Sequence, residues 1–306
     1  METNTYDVIV VGGGPAGLQA ALTLGRMHRS VLVLDSGRYR NDPTDQLHNF
    51  VTRDGTPPAE LRALARAELA TYETVTVRSA EVAAVKPDDD TFRVDLAGGD
   101  QAVARRVVLA TGLRDTLPVV PGLAELFGSV VAHCPYCHGH EFAGTHVALL
   151  GSGPHLSRVA LLMQAITARI SVFADGGELD EATAALLERE GIAVRPEPVT
   201  GVCRSAAGAR ASFASGPDEE VGGLFVTTAL SQSAPFAEQL GLAMLDSGCV
   251  EVDAFGRTSV PGVYAAGDLA HTAAVPMPLA SVLTAAAAGQ LAAVATDMDR
   301  IAGVLA

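Results

Sequence analysis

Lysine is nearly absent from this chain of 306 residues, in which Lys86 is the only one. The other basic residues are arginines, a bias that we attribute to codon usage rather than to a binding surface. Acidic residues outnumber basic ones by 35 to 21, which gives a formal net charge of −14. Because so acidic a surface repels phosphate backbones and anionic membranes, we expect neither nucleic acid nor a membrane as a partner.

Long apolar runs are lacking as well. A helix needs about 20 apolar residues to cross a bilayer, and Thr284 and Gln290 interrupt the Ala-rich stretch at 282–294. The first five residues show neither the basic nor the apolar segment of a secretory signal, so we expect a cytoplasmic protein. At the same time, 48% of the residues are apolar and the mean hydropathy is +0.27, which excludes an intrinsically disordered chain.

Cysteine is scarce, with four residues in the whole sequence. Cys203 and Cys249 have no partner at a meaningful spacing, and we interpret both as small apolar residues. Structural disulfides are rare in the cytoplasm. The other two, Cys134 and Cys137, therefore require a chemical explanation.

Two strand–turn–helix–strand segments, about 139 residues apart, organise the chain, and its length is typical of roughly two domains. The first has strands at 6–11 and 30–34 around a helix at 18–27, and the second has strands at 146–150 and 169–174 around a helix at 156–167. The rest of the pattern predicts a loop at 35–58, a helix at 59–71, antiparallel strands at 75–85 and 91–96, strands at 106–110 and 221–229, a strand and turn at 262–268, and one or two helices at 281–305.

Gly12, Gly14 and Gly17 follow the first strand in the pattern G-x-G-x-x-G. In such a turn the first glycine permits a sharp bend, the second lets backbone amides approach a pyrophosphate, and the third allows the helix to pack closely on the strand. Asp35 ends the second strand, where an acid can accept a hydrogen bond from a ribose hydroxyl. Because all these parts are in register, the sequence predicts a dinucleotide site rather than an empty turn.

Cys134 and Cys137 have the C-x-x-C spacing that allows two sulfurs to form a redox-active disulfide. Imidazoles can lower the pKa of a thiol and move protons during exchange, and three lie in this segment: His133, His138 and His140. A zinc site is an alternative, but the second C-x-x-C or H-x₃₋₅-H that would complete it is missing. A purely structural role is another. We favour the redox interpretation because the same chain has a dinucleotide turn.

The order of these motifs resembles the low-molecular-weight thioredoxin reductase superfamily. After the first turn come Ala-Thr-Gly at 110–112, the C-x-x-C just before a second glycine turn, Gly-Val-Tyr-Ala-Ala-Gly-Asp at 262–268, and an Ala-rich C-terminal helix. The resemblance implies an α/β fold with two Rossmann-like dinucleotide-binding domains of the three-layer ββα type, FAD as cofactor, and a homodimer. It divides the chain into a split FAD-binding domain, 1–115 plus 246–306, and an inserted NAD(P)-like domain, 116–245, with the redox C-x-x-C near its start.

The second glycine turn departs from the reductases. Gly151 and Gly153 are kept, but Leu156 stands where a third small residue is expected and should push the helix off the strand. The following strand ends in Asp175-Gly176-Gly177-Glu178, whereas NADPH-dependent reductases have arginines there, and an acid repels the 2′-phosphate. This argues against NAD(P)H as a cofactor and favours a scaffold domain, although Asp175 could still accept a hydrogen bond from the ribose of NADH.

The dithiol segment also differs from that of the reductases. His138 replaces the Asp that reductases of this class usually carry after the second cysteine. The segment 134–141 is instead similar to the dithiol oxidases that form the disulfides of natural products such as gliotoxin and holomycin, and so are the segments 35–41, 47–50 and 54–55. This resemblance implies a small-molecule dithiol as substrate and O₂ as electron acceptor, with H₂O₂ as product.

In the mechanism that the resemblance implies, a substrate thiolate attacks Cys134, the second substrate thiol closes the product disulfide, and Cys137 lies against the flavin. His138 is the leading acid–base candidate because it adjoins Cys137, and His140 is the second. Asp268 would contact the ribityl or pyrophosphate region and can also cap a helix. The residues assigned to FAD are Gly12, Gly14, Pro15, Ala16, Gly17, Asp35, Arg40, Asn41, His48, Thr111, Gly112, Gly267 and Asp268.

Two other functions remain open at this stage. A disulfide reductase would carry electrons from NADH or NADPH through FAD to thioredoxin or a small disulfide, and the glycines of the second turn support it. A non-enzymatic flavin redox sensor or partner-binding subunit is the third interpretation. The histidines around the dithiol argue against a sensor, since a sensor needs only one slow exchange.

Overall fold

The computed structural model describes residues 5–153 and 155–305. Residues 1–4, on which the expectation about a secretory signal depends, lie outside the described residues, as do Pro154 of the second turn and Ala306. The helices are α1 (Pro15–Arg26), α2 (Pro58–Leu69), α3 (Pro135–His138), α4 (Leu156–Gln164), α5 (Glu181–Arg189), α6 (Phe236–Gln239) and α7 (Val282–Leu305), with 3₁₀ turns at Ala124–Leu126 and His140–Phe142.

Nineteen strands occur among the described residues. They are β1 (Thr5–Val11), β2 (Val31–Asp35), β3 (Val75–Ser79), β4 (Val82–Asp88), β5 (Thr91–Leu96), β6 (Gln101–Leu109), β7 (Leu113–Thr116), β8 (Val131–Ala132), β9 (His146–Leu150), β10 (Arg169–Phe173), β11 (Ala193–Arg195), β12 (Val199–Ser205), β13 (Gly208–Phe213), β14 (Glu219–Val221), β15 (Gly223–Val226), β16 (Ala229–Gln232), β17 (Val250–Glu251), β18 (Val263–Ala265) and β19 (Ala270–His271).

The chain forms two compact units. Unit 1 comprises Met1–Asp42, Pro58–Arg114 and Leu230–Ala306, and unit 2 comprises Pro43–Pro57 and Asp115–Ala229. The sequence-based division differs at two places. Residues 230–245 belong to unit 1 because Phe236 and Leu240 pack into its core. The segment 43–57 belongs to unit 2, where its side chains contact the dithiol segment.

Unit 1 is built on a seven-stranded sheet of order β3-β2-β1-β6-β5-β4, in which β18 also pairs with β6. The strands β1, β2, β3, β6 and β18 run parallel, while β4, β5 and β6 pair antiparallel. The single antiparallel strand expected at 75–85 is wrong: its first half, β3, pairs parallel with β2, and its second half, β4, turns to pair with β5. Apolar clusters cover the sheet, and one of them packs α1 against α7.

Unit 2 has a second parallel sheet of order β11-β10-β9-β15-β8 and a small antiparallel sheet of β12, β13 and β14. The strand expected at 221–229 is interrupted, so that only β15 enters the parallel sheet. The α/β class with two Rossmann-like sheets, predicted from the sequence, is confirmed. Within the two described stretches, no helix has both the length and the apolar character needed to span a membrane.

Candidate active site

The first glycine turn is shaped by two positions that accept no side chain. Gly12 has φ +116°, and a Cβ there would lie 2.7 Å from the carbonyl carbon of Ala110. A Cβ on Gly17 would overlap the carbonyl oxygen of Gly12. Gly14, by contrast, faces open space and precedes Pro15, the first residue of α1. Since no described side chain caps this helix end, its amides can face an anion, and the turn fits a bound pyrophosphate.

Three parallel strands end together beside this turn. Val11 and Ala265 are both register partners of Leu109, so β1, β6 and β18 finish at one edge of the sheet. The segments that follow these strands contain the predicted cofactor residues Thr111, Gly112, Gly267 and Asp268. The carboxyl edge of a parallel sheet is where ligands bind in folds of this type.

Two predicted cofactor residues that are far apart in the sequence meet at this edge. Arg40 Nη1 donates to Asp268 Oδ2 at 2.9 Å, and both side chains are largely buried. Gly267 lies against α1, since a Cβ at this position would be 3.0 Å from the Cβ of Ala16. The pairing therefore attaches the loop after β2 to the segment after β18, on the same side as the glycine turn.

Asp35 is buried and already has protein partners. It accepts hydrogen bonds from the Gly37 amide at 3.0 Å, from the Tyr39 hydroxyl and from Arg66. Burial and the hydrogen bond to Asp35 both raise the pKa of Tyr39. The ribose role predicted for Asp35 stays a prediction, and in this structure its carboxylate orders the loop that follows β2.

Arg62 and Arg66 on α2 were missed by the sequence analysis. Arg62 stacks over the Tyr39 ring, 3.7 Å from its centroid, and donates to Asn41 Oδ1 at 3.1 Å. Both arginines thus hold the loop at 35–42. Their spacing of four residues places them on one helix face, but nothing in the sequence identifies the segment that this face meets.

Cys134 and Cys137 form a disulfide in unit 2, with their Cα atoms 5.2 Å apart. Cys134 is the N-cap of the short helix α3, and the amides of Cys137 and His138 both donate to its carbonyl at 3.1 Å. The helical turn brings the two sulfurs together because it closes a C-x-x-C segment on itself. Cys203 and Cys249 are free thiols, the first exposed and the second buried.

His138 is packed beside the disulfide-bearing turn. Its Nε2 lies 3.3 Å from the Thr44 hydroxyl, and its Nδ1 is buried with no hydrogen-bond partner among the described residues. Burial lowers the pKa of His138 and the nearby His48 lowers it further, while Glu141 and a hydrogen bond with the Gly128 backbone raise it. At neutral pH this histidine is therefore uncharged and able to accept a proton.

The other histidines of the segment differ in their surroundings. His140 is exposed, and the pKa of the nearby Asp54 is lowered mainly by a hydrogen bond from the Asn49 amide, with smaller contributions from His48 and His140. His133 stacks on Phe127 with ring centroids 5.6 Å apart. The Nδ1 of His138 is buried without a hydrogen-bond partner among the described residues, and His138 stays the leading acid–base candidate, as a prediction.

The assignment of His48 to the cofactor stays a prediction, and its contacts with protein groups in this structure are those of unit 2. Its Nδ1 lies 3.5 Å from Asp54 Oδ2 and its Nε2 lies 3.4 Å from Glu141 Oε1. The reason is the loop at 43–57, which is part of unit 2 rather than of the unit with the first glycine turn. His48 is thus brought together with the dithiol segment.

A neighbouring side chain occupies part of the second glycine turn, although a Cβ on Gly151 would meet open space. A Cβ on Gly153 would lie 2.8 Å from the ring of His155, whose Nε2 bonds to the Thr227 hydroxyl. Asp175 accepts a hydrogen bond from the Val199 amide at 2.7 Å. The sequence left Asp175 available to a ribose hydroxyl of NADH. In the structure its carboxylate instead binds the backbone amide of Val199.

Leu156 fits without a displaced strand because the second helix begins later. The helix α4 starts at Leu156, five residues after Gly151, whereas α1 starts at Pro15, three residues after Gly12. Leu156 is buried in the core of unit 2. Leu156 was expected to push the helix off the strand, and that expectation is wrong because Leu156 packs in the core between them.

Comparison with known proteins places this geometry in a family. Residues 6–296 match the family model of the pyridine nucleotide-disulphide oxidoreductases. The chain is 35% identical to thioredoxin reductase tcpT of Claviceps purpurea, over 87% of each chain. This chain belongs to the pyridine nucleotide-disulphide oxidoreductase family. As a member of that family it binds FAD and acts as an oxidoreductase on sulfur groups.

Two solved structures are also similar to this family member. The protein HlmI has 33% identity and a TM-score of 0.89, over 98% of this chain and 94% of the other. An oxidoreductase from Agrobacterium tumefaciens has 31% identity and a TM-score of 0.88, over 97% and 99%. The resemblance to thioredoxin reductase-like flavoproteins, drawn from the order of motifs, is confirmed.

Proposed function

We propose that this protein is an FAD-dependent dithiol oxidase that closes an intramolecular disulfide in a small natural product of the gliotoxin or holomycin kind. The observation that carries the proposal is the Cys134–Cys137 disulfide with a neutral, half-buried His138 beside it. The similarity to HlmI over almost the whole chain supports it. FAD would be held by the first glycine turn and by the Arg40–Asp268 pair.

The exchange chemistry follows from the dithiol and its histidine. One substrate thiol gives its proton to His138 and attacks Cys134, which forms a mixed disulfide and releases Cys137 as a thiolate. The second substrate thiolate attacks the substrate sulfur of the mixed disulfide, so that the product disulfide leaves and Cys134 is released. Two sulfurs of the substrate are oxidised and two cysteines are reduced. Bound FAD supplies a two-electron acceptor for the cysteines and a route for those electrons to O₂, with H₂O₂ as product.

A disulfide reductase that uses NADH or NADPH is the second candidate, because the family name includes that chemistry. Two features of unit 2 oppose it. The His155 ring lies against the second glycine turn, and Asp175 is bound to backbone. A nucleotide that approached Gly153 would have to displace the His155 ring, and Asp175 already accepts a hydrogen bond from the Val199 amide.

Anaerobic stopped-flow spectroscopy of the flavin-loaded protein decides between the two candidates. We expect dithiothreitol, used as a model dithiol, to bleach the flavin rapidly, and air to restore the colour with one H₂O₂ per flavin. We expect NADH and NADPH to bleach it slowly if at all. Rapid bleaching by either nucleotide, followed by slow recovery in air, would refute the oxidase function.

We also propose that the protein is a homodimer joined through α7. One face of this helix packs small residues against α1, while the opposite face exposes large apolar side chains at heptad spacing: Leu291, Val294, Met298, Ile301 and Leu305. Spacings of three and four residues form a continuous stripe on a helix, which a second copy of the same helix can cover.

Charges placed on this stripe should separate the two copies. For the double variant Met298→Glu with Ile301→Glu we expect the mass in solution to fall from twice 31.4 kDa to 31.4 kDa, because burying two carboxylates costs more than the contact gains. Light scattering after gel filtration gives the mass. Leu64→Glu on α2, another exposed apolar position, is the control and should leave the dimer intact. A monomeric wild-type protein would contradict the proposal.

A further inference from the structure

The bonding of Thr44 helps to determine which nitrogen of His138 carries the proton, alongside a hydrogen bond between this ring and the Gly128 backbone. The Thr44 hydroxyl donates to the Gln46 carbonyl at 3.0 Å. A hydroxyl has a single proton, and a carbonyl can only accept. Toward His138 Nε2, at 3.3 Å, the same oxygen therefore acts as an acceptor. A neutral imidazole has one N–H group, so that group is at Nε2 and Nδ1 holds the free lone pair.

The free Nδ1 is costly unless it is used. It is buried and has no hydrogen-bond partner among the residues that the structure describes. An unsatisfied buried acceptor destabilises a fold, and such a group in a folded protein requires an explanation. Here the ring follows Cys137 directly, in a segment where exchange releases protons.

We propose that Thr44 is a positioning residue, which holds neutral His138 in the Nε2–H tautomer so that Nδ1 takes up the proton of the attacking thiol. The inference rests on the dithiol function proposed above. The step is balanced: the S–H bond of the substrate breaks, its proton goes to Nδ1, its sulfur bonds to Cys134, and the electron pair of the broken disulfide goes to Cys137. The imidazolium then stabilises the adjacent thiolate.

The charged groups around His138 are consistent with this role. Glu141 favours the protonated ring and His48 opposes it, while His48 itself lies between Glu141 and Asp54. Thr44 and His48 both come from the loop at 43–57, so one segment supplies both the hydroxyl contact and the neighbouring imidazole. This gives a chemical reason for the packing of that loop in unit 2.

Nitrogen NMR tests the tautomer directly. In the oxidised, flavin-loaded protein labelled with ¹⁵N-histidine, and with the signals assigned through His138→Gln, we expect a protonated Nε2 and an unprotonated Nδ1 at pH 8. Thr44→Val removes the hydroxyl acceptor, one of the two hydrogen-bond partners of the ring, and should produce a mixture of tautomers. Thr44→Ser keeps the hydroxyl and should restore the wild-type spectrum. An Nδ1–H tautomer in the wild type would overturn the proposal.

Kinetics of disulfide reduction test the consequence. The rate at which dithiothreitol reduces Cys134–Cys137, read by alkylation and mass spectrometry, should fall about tenfold in Thr44→Val near neutral pH. Its pH profile should break at a lower pH, because the protonated ring loses an acceptor. Thr44→Ser should lie within threefold of the wild type, and Thr71→Val, an exposed threonine elsewhere, should not differ from it. A Thr44→Val rate equal to the wild type would overturn the proposal.

The rate of disulfide reduction tests the role of Thr44 independently of the oxidase function. Reduction of the disulfide is followed without O₂, so a protein that exchanges as expected but makes no H₂O₂ would refute the oxidase and leave the role of Thr44 intact. Flavin content is measured for each variant, and Thr44→Ser keeps the test decisive where Thr44→Val folds poorly.

Discussion

Replacing Cys137 with Ser should stop dithiol-driven bleaching of the flavin, with a loss of roughly 10³-fold or more, as expected when an essential nucleophile or leaving group is removed. Without the second sulfur there is no disulfide for the substrate to attack, and no thiolate to pass electrons onward. Stopped-flow absorbance of the anaerobic, flavin-loaded variant mixed with dithiothreitol gives the rate.

Cys203→Ser is the matched control for this experiment. Cys203 is an exposed free thiol on β12, so the same substitution there should leave the rate within about twofold, as surface changes usually do. If Cys137→Ser bleaches as fast as the control, electrons reach the flavin without the C-x-x-C, and the proposed route is wrong.

Gly289→Ala should both destabilise unit 1 and reduce its FAD content. A Cβ at Gly289 would lie 2.8 Å from the carbonyl carbon of Ala16 and would overlap its oxygen. The backbone of α1 cannot yield without moving the first glycine turn, because Ala16 belongs to that turn. Overpacking of this kind costs about 1–3 kcal/mol. Urea unfolding gives the free energy, and the flavin absorbance of the purified protein gives the occupancy.

Gly303 in the same helix provides the matched control for Gly289→Ala. Gly303, near the end of α7, has open space where its Cβ would point. Gly303→Ala should therefore leave FAD content unchanged and raise stability by about 0.4–1 kcal/mol, since alanine restricts the unfolded chain. Equal losses of stability in both variants would mean that helix propensity, rather than the close approach of α7 to α1, decides the result.

The sequence predicts the first glycine turn well because its requirements are local. A sharp bend at Gly12 and a close approach at Gly17 admit no other residue, and the flanking strands are continuous apolar runs. The same holds for Cys134 and Cys137, whose spacing limits them to one helical turn. Such features depend on neighbours in the chain, which the sequence displays directly.

The loop at 43–57 could not be placed in this way. It has no apolar periodicity, so nothing in it indicates which surface it meets, and His48 was assigned by resemblance to the cofactor. Its contact with Glu141 spans some 90 residues of sequence. The contacts of Arg62 and Arg66 on α2 could not be predicted either. A helix face that is exposed to solvent and one that binds a loop have the same amino-acid composition.

Because His155 and Asp175 hold the second turn through contacts within the chain, we expect the two units to respond differently to metabolite supply. A ligand that binds only the native state stabilises it by an amount that rises with its free concentration. Unit 1 should therefore gain stability when FAD is abundant and lose it when FAD is scarce. In unit 2, His155 and Asp175 are covalent parts of the chain and cannot be depleted. We expect its stability to be independent of the nicotinamide pool, so that the half of the molecule that bears the dithiol stays folded whatever the supply of reducing nucleotide.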